Sequence, residues 1–286
     1  MIRARNHWRG YKNTIALSAV YGLTGLALVP LALVLGYTIV KGLPAAIHPE
    51  FYLNVERPVG IPGAGVAHAI AGSGIMVGIA SLLAIPVGVV SGVHLVDYAS
   101  GRWASWVRLA ADVLVGAPSI AVGLFAYVLF VAPQHHFSGL SGALALAVLM
   151  LPVVIRTTEG AVALIPASLR ESGLALGLPR WRVALQLVLP AAAPGIITGA
   201  LLAMARAAGE TAPILFTGFG NRSWNLDPTQ PMSALPLIVF HDALTPYPAL
   251  QQQAWGAALV LVALVLVINL SSRWVLRRQI RMAGQL

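Results

Sequence analysis

Six apolar stretches bounded by charges or turn residues run along this chain, over about 14–40, 71–96, 113–133, 140–155, 191–214 and 255–270. A helix needs about 20 apolar residues to cross the hydrocarbon core, so the pattern predicts an all-α membrane protein with six transmembrane helices. Pro118 is expected to break the third of them near one end. The connections 42–65 and 217–253 are rich in Pro, Asn, Asp and aromatics, which predicts ordered loops with short interfacial helices. Trp224, Tyr247 and Trp255 suit the headgroup level. The chain thus divides into a short segment, 1–13, and a single transmembrane domain, 14–286, with its core over 66–272.

Lysine and arginine are retained on cytoplasmic flanks, and their positions orient the spans. One side collects Arg3, Arg5, Arg9 and Lys12, then Arg102, Arg108, Arg156, Arg170, Arg180 and Arg182, and finally Arg273, Arg277, Arg278 and Arg281. The other side has Lys41, Arg57 and Arg222. Six spans then put both termini and the loop 156–190 in the cytoplasm. A basic start before an apolar run also suits a signal peptide, but a long apolar stretch without an A-x-A-like cleavage site fits an uncleaved first span better.

Composition agrees with a bilayer protein. The 286 residues are 58% hydrophobic and 9% charged, with mean hydropathy +0.82, more apolar surface than a water-soluble core of this size hides. The net charge of +9 comes without an aromatic-interleaved basic patch, which argues against nucleic acid. The absence of cysteine excludes disulfides, thiolate metal sites and cysteine nucleophiles.

The segment from Glu171 to Pro190, ESGLALGLPRWRVALQLVLP, interrupts the apolar pattern. Ser168 and Glu171 have the spacing of a capping box. Gly177 is placed to end a short helix in the left-handed conformation, and Pro179 suits the first turn of the next. The first helix carries Leu169, Leu174 and Leu176 beside Arg170 and Glu171, an apolar edge with two charges for a groove on a soluble partner. Arg180, Trp181 and Arg182 suit the headgroup zone. Taken alone, the pattern also describes an ordinary hairpin on the membrane surface. Its full spacing resembles the loop by which ABC-importer permeases engage their ATPase, on Glu171, Ser172, Gly173, Gly177, Leu187, Leu189 and Pro190. Ser and Gly stand for the usual two alanines and Leu for the usual isoleucine.

Arg206 and Glu210 lie in the fifth span, where ionisable residues are costly unless paired or facing water. At about 1.5 Å per residue from Pro194, Arg206 falls roughly 18 Å along the helix, a little beyond the midplane. Spacing of four puts both side chains on one face, and Gly209 and Pro213 weaken the helix beside them. Arginine offers an oxyanion a forked, permanent charge, and Glu210 neutralises it when no anion is present. The residues equally admit a structural ion pair, or Glu210 bound to the bundle or to a partner subunit.

Other features carry less. Ser119 follows Pro118 and suits either the lining of a route or helix packing among small residues. His135 and His136 are adjacent on a short external loop and do not chelate as a helical i, i+4 pair does. His241 and Asp242 lack an activated nucleophile and read as solvated loop residues. Glu159 is expected to pair with Arg156. The two lysines, Lys12 and Lys41, are outside any G-x-x-x-x-G-K-[ST] setting, so ATP must be hydrolysed by another chain.

Three stretches, ARAAGETAPILF around Arg206, GAPSIAVGLFAYV over 116–128 and QPMSALPLIVF over 230–240, together resemble the PstA-type permease family of phosphate ABC importers. The resemblance covers nearly all of the chain beyond the first span. It implies the type I importer permease fold in a bacterial inner membrane. The implied partners are a second related permease subunit, a cytoplasmic ATPase homodimer carrying the ATP and Mg, and a periplasmic or lipid-anchored phosphate-binding protein. No cofactor is implied for this chain. One arginine and one glutamate do not distinguish phosphate from phosphonate, molybdate or sulfate. A channel or an intramembrane enzyme is the alternative outside transport; the first leaves the docking loop without a purpose, and the second lacks a catalytic constellation at membrane depth.

Overall fold

The computed structural model describes the backbone of residues 2–99 and 101–283 and the side chains of 12–99, 101–271 and 274. The side chains of Arg3, Arg5, Arg9, Arg273, Arg277, Arg278 and Arg281, used above for orientation, lie outside the described residues. The helices are α1 (Ile2–Ala46), α2 (Pro49–Leu53), α3 (Ala67–Asp97), α4 (Arg102–Gly116), α5 (Ser119–Ala126), α6 (Gly139–Ala163), α7 (Ala167–Ala175), α8 (Arg180–Arg182), α9 (Leu189–Gly209), α10 (Ala212–Thr217), α11 (Leu235–Ala243) and α12 (Pro248–Ala283). A π-helical turn, Val183–Val188, joins α8 to α9 without a break. Among the described residues the only β-type contact is a bridge between Phe219 and Met232.

Five helical stretches are long and apolar enough to span a membrane, and the bent pair Arg102–Gly116 with Ser119–Gln134 makes six when counted as one span. That pair corrects the third span. Instead of one helix beginning after Asp112, α4 begins at Arg102 and meets the α5 segment at 108°. Pro118 has no N–H for the carbonyl of Leu114 and holds Ala117 in an extended conformation, with φ −68° and ψ 138°. The fifth span also shifts, to Arg180–Gly209. Its start moves earlier because the π turn carries helix through the Leu-Pro sequence, and its end falls at Gly209 because Glu210 is extended.

The core is α3, α6, α9 and α10, packed through Ala80, Ala84, Ala143, Leu146, Met150 and Ala203. Small residues let the backbones approach, as is usual between membrane helices. A Cβ on Gly92 would fall 2.6 Å from Thr158 Cβ of α6. Between α6 and α9, Gly195 faces Ala161 and Gly199 faces Thr157, which fixes an antiparallel register. By contrast, α1 packs mainly along α12, and only 6% of its most apolar window is buried, leaving a broad face for lipid or another chain. The expected short helices between spans are α2 and α11. Trp224 and Tyr247 are exposed, whereas Trp255 packs edge-on against Tyr37 at 5.0 Å.

Candidate functional site

Arg206 closes α9, and Glu210 sits just beyond its last turn with extended backbone, φ −76° and ψ 125°. The interruption follows from Pro213, which gives no N–H to the carbonyl of Gly209. Helix resumes at Ala212. Arg206 Nε donates to Glu210 Oε1 at 3.3 Å, longer than the usual charge-assisted bond of about 2.7–2.9 Å. Among the described residues the guanidinium has no other polar partner, and the two side chains are 40% and 17% exposed. Continuing the register set by Gly195 and Gly199 brings Arg206 level with Met150, near the middle of α6. The expected pair therefore forms, level with the middle of α6, with Glu210 at a helix break and not on a continuous helical face.

Ser119 opens α5 directly after the Pro118 break and is half-buried. One turn on, Gly123 lies against Pro213 and Ala212, where a Cβ would meet Pro213 Cα at 3.0 Å. The broken third span and the broken fifth span thus pack together.

The loop from Glu171 to Pro190 folds as two helical pieces around a left-handed residue, as expected. Gly177 has φ +79°, a conformation that favours glycine. Leu178 N–H donates to Gly173 O at 3.2 Å and Gly177 N–H to Leu174 O at 2.9 Å, the bonding of a Schellman end. Gly173 is buried against Leu187 and Val183 of the π turn, where a Cβ would come within 2.7 Å of Leu187 Cδ1. Leu187 and Leu189 pack on the cluster of Val162, Val188 and Ile196, while Pro190 is exposed at the start of α9.

Two expectations for this loop are corrected. The capping box is not made: Pro166 is the N-cap of α7, without a side-chain cap bond, and the carbonyl of Ser168 accepts from Ser172 Oγ at 2.7 Å. Arg170 does not face outward. It donates to Asp97 at 2.9 Å, to Ile165 O at 2.7 Å and to Val162 O at 3.0 Å, thereby capping the end of α6. Holding those carbonyls brings the chain into α7 at Pro166 and takes the capping role from Ser168. Glu171, Ser172, Leu174 and Leu176 remain exposed.

Beside this loop lies an ion network that sequence reasoning found only in part. Arg156 pairs with Glu159, as expected, and also with Asp112 at 2.8 Å. Arg108 joins the same Glu159 and donates to Leu95 O at 2.8 Å. The spacing of four between Arg108 and Asp112 was the available signal.

At the opposite end of the bundle, Arg222 pairs with Glu56 at 3.0 Å. The chain separation between them left no local signal. They border a cavity of about 160 Å³ that Asn221, Ser233, His241 and Asp242 also line. The reading of Asp242 as solvated is overturned: α11 turns it inward to 1% exposure, while His241 stays exposed. Burial, and then the Glu56 charge, push the Asp242 carboxyl up to about 7, against the pull of Arg222. Burial also raises Glu56, opposed by Arg222 and His241.

Residues 84–281 match the family described as the binding-protein-dependent transport system inner membrane component. The phosphate transport system permease protein PstA of Yersinia pestis is 41% identical over 272 residues, covering 95% of this chain and 92% of that protein. PstA 1 of Mycobacterium tuberculosis, strain H37Rv, is 38% identical, with 92% of this chain and 87% of that protein covered. The fold resembles an inward-facing structure of the MetNI methionine ABC transporter, with a TM-score of 0.60, 18% identity, and coverage of 74% of this chain and 95% of that one.

Proposed function

Since the chain belongs to the binding-protein-dependent transport system inner membrane component family, we infer that it is the phosphate permease subunit of an ATP-driven ABC importer in the bacterial inner membrane. The observation that carries this is the Arg206–Glu210 pair, a loosely held guanidinium at mid-depth beside a helix break, in a chain whose near-full-length relatives are phosphate permeases. Phosphate offers Arg206 charge-assisted, forked hydrogen bonds that one Glu210 oxygen at 3.3 Å does not. An arriving anion displaces Glu210, and the breaks at Pro118 and Pro213 give the two packed half-helices room to rearrange.

The loop around Glu171 docks the ATPase, which carries the ATP and Mg. The exposed edge of Glu171, Ser172, Leu174 and Leu176 meets the motor, while Gly173 on Leu187 and Arg170 on Asp97 tie that edge to α9 and α3. Movement of the motor is passed to the bundle through these ties, switching it between outward- and inward-facing forms. Both termini and this loop are cytoplasmic, in line with the lysine and arginine asymmetry. A second permease subunit completes the route, and the loops of α2 and α11 face the loaded phosphate-binding protein.

Uptake of radiolabelled phosphate at low micromolar concentration, in cells lacking the chain and with it restored, tests the reading. Loss, rescue and competition by arsenate but not sulfate or molybdate are expected. Unchanged uptake with redundant carriers removed would move the substrate to another oxyanion.

A further inference from the structure

Arg222 repeats, at the outer end, the arrangement seen at Arg206: one arginine held through Nε by one glutamate oxygen. Its side chain is 74% exposed, whereas that of Glu56 is 5% exposed. The acid is therefore the fixed member and the arginine the movable arm. Among the described residues the terminal nitrogens of Arg222 have no partner. The two arginines also lie on one continuous stretch, since α10 leads from the Glu210 break to the loop that carries Arg222.

We propose that Arg222 and the cavity beside it form an outer receiving site for phosphate, at which the anion exchanges for Glu56 before it reaches Arg206. The cavity of about 160 Å³ equals roughly five water volumes, room for one tetrahedral oxyanion. Its lining adds donors to the guanidinium: the Asn221 amide, the Ser233 hydroxyl and the His241 ring.

Two acids, Glu56 and Asp242, lie beside this anion site. Asp242 is buried with Oδ2 unpartnered, and with its carboxyl raised to about 7 it is substantially protonated near neutral pH. It then adds no full negative charge and has a proton to donate. Burial raises the Glu56 carboxyl, and the Arg222 charge opposes that rise. When Arg222 turns to phosphate, Glu56 is left as a buried carboxylate beside Asp242, a costly state that draws the arm back and releases the anion inward.

This inference rests on the phosphate reading, and the test separates the two. The complete transporter, with its ATPase and binding protein, is reconstituted in proteoliposomes, and phosphate uptake is measured against the concentration of loaded binding protein. Arg222→Gln is expected to raise the half-saturating concentration about tenfold, the effect of one lost charged hydrogen bond, with assembly of the complex unchanged. Glu56→Gln removes the competitor, so half-saturation falls while the maximal rate slows. Arg222→Lys, which keeps the charge, lies between wild type and Arg222→Gln and guards against a folding defect.

Removing either partner of a merely structural pair shifts both constants in the same direction. That outcome, or unchanged half-saturation in Arg222→Gln, would overturn the proposal while leaving phosphate transport intact. Absence of phosphate uptake by the wild-type complex would overturn both.

Discussion

Arg170 and Arg206 both lie near helix ends, yet the fold holds them in opposite ways. Arg170 has a carboxylate and two main-chain carbonyls within 3.0 Å and is 23% exposed. Arg206 has one carboxylate oxygen at 3.3 Å and is 40% exposed. An arginine whose donors are taken up by its own chain fixes a geometry; one with donors left over has something to offer a ligand. Arg108 and Arg156, in the network around Glu159, fall with Arg170, and Arg222 falls with Arg206.

The largest effect expected from this contrast is at Arg206. Arg206→Gln should lower phosphate uptake about 100-fold, the loss of a charged, multidentate contact, with membrane level and complex assembly kept. Normal uptake at matched levels would remove Arg206 from the route. Glu171→Lys reverses the charge on the proposed docking edge and should cut uptake about tenfold by weakening ATPase binding. Co-purification of the ATPase with the variant reads this directly.

Arg170→Ala should act on stability first, at about 1–3 kcal/mol for three lost charged hydrogen bonds at a partly exposed site. Arg170→Ala combined with Asp97→Asn should cost less than the two single changes added together, because they share one interaction. Thermal melting of the purified complex measures both. Were Arg170→Ala to abolish uptake with an unchanged melting point, the division between saturated and unsaturated arginines would fail.

The smallest effect is at Asp242. Its folded-state carboxyl titrates near 7, above the ordinary value of 3.8, so the folded state binds the proton more tightly than the unfolded state does. Its contribution is therefore most favourable at low pH and is lost as pH rises from about 4 to 7. Asp242→Asn should flatten that part of the melting profile, lowering the melting point slightly at pH 5 and raising it at pH 8. An unchanged slope would show that another group titrates there.

Much of this was legible because it depends on neighbours along the chain. Hydropathy marked the spans, Gly177 marked the left-handed turn, and the spacing of Arg206 and Glu210 marked their pair. Pro118 and Pro213 showed where helix would weaken, but not the 108° bend, which depends on how α4 and α5 pack. The capping box at Ser168 failed because Arg170, bound to Asp97 at the end of α3, sets the start of α7.

The sequence by itself determined that this is an all-helical membrane chain with a charged loop of two short helices around Gly177 and an i, i+4 ion pair late in the fifth span. Those properties follow from solvent preference and local backbone chemistry, which act over a few residues. Only the tertiary structure decided which arginines are saturated, that Asp242 is buried and that Glu56 meets Arg222. Burial and pairing at those positions depend on segments far apart in the chain, brought together when α3, α6, α9 and the loops that carry Glu56 and Arg222 pack.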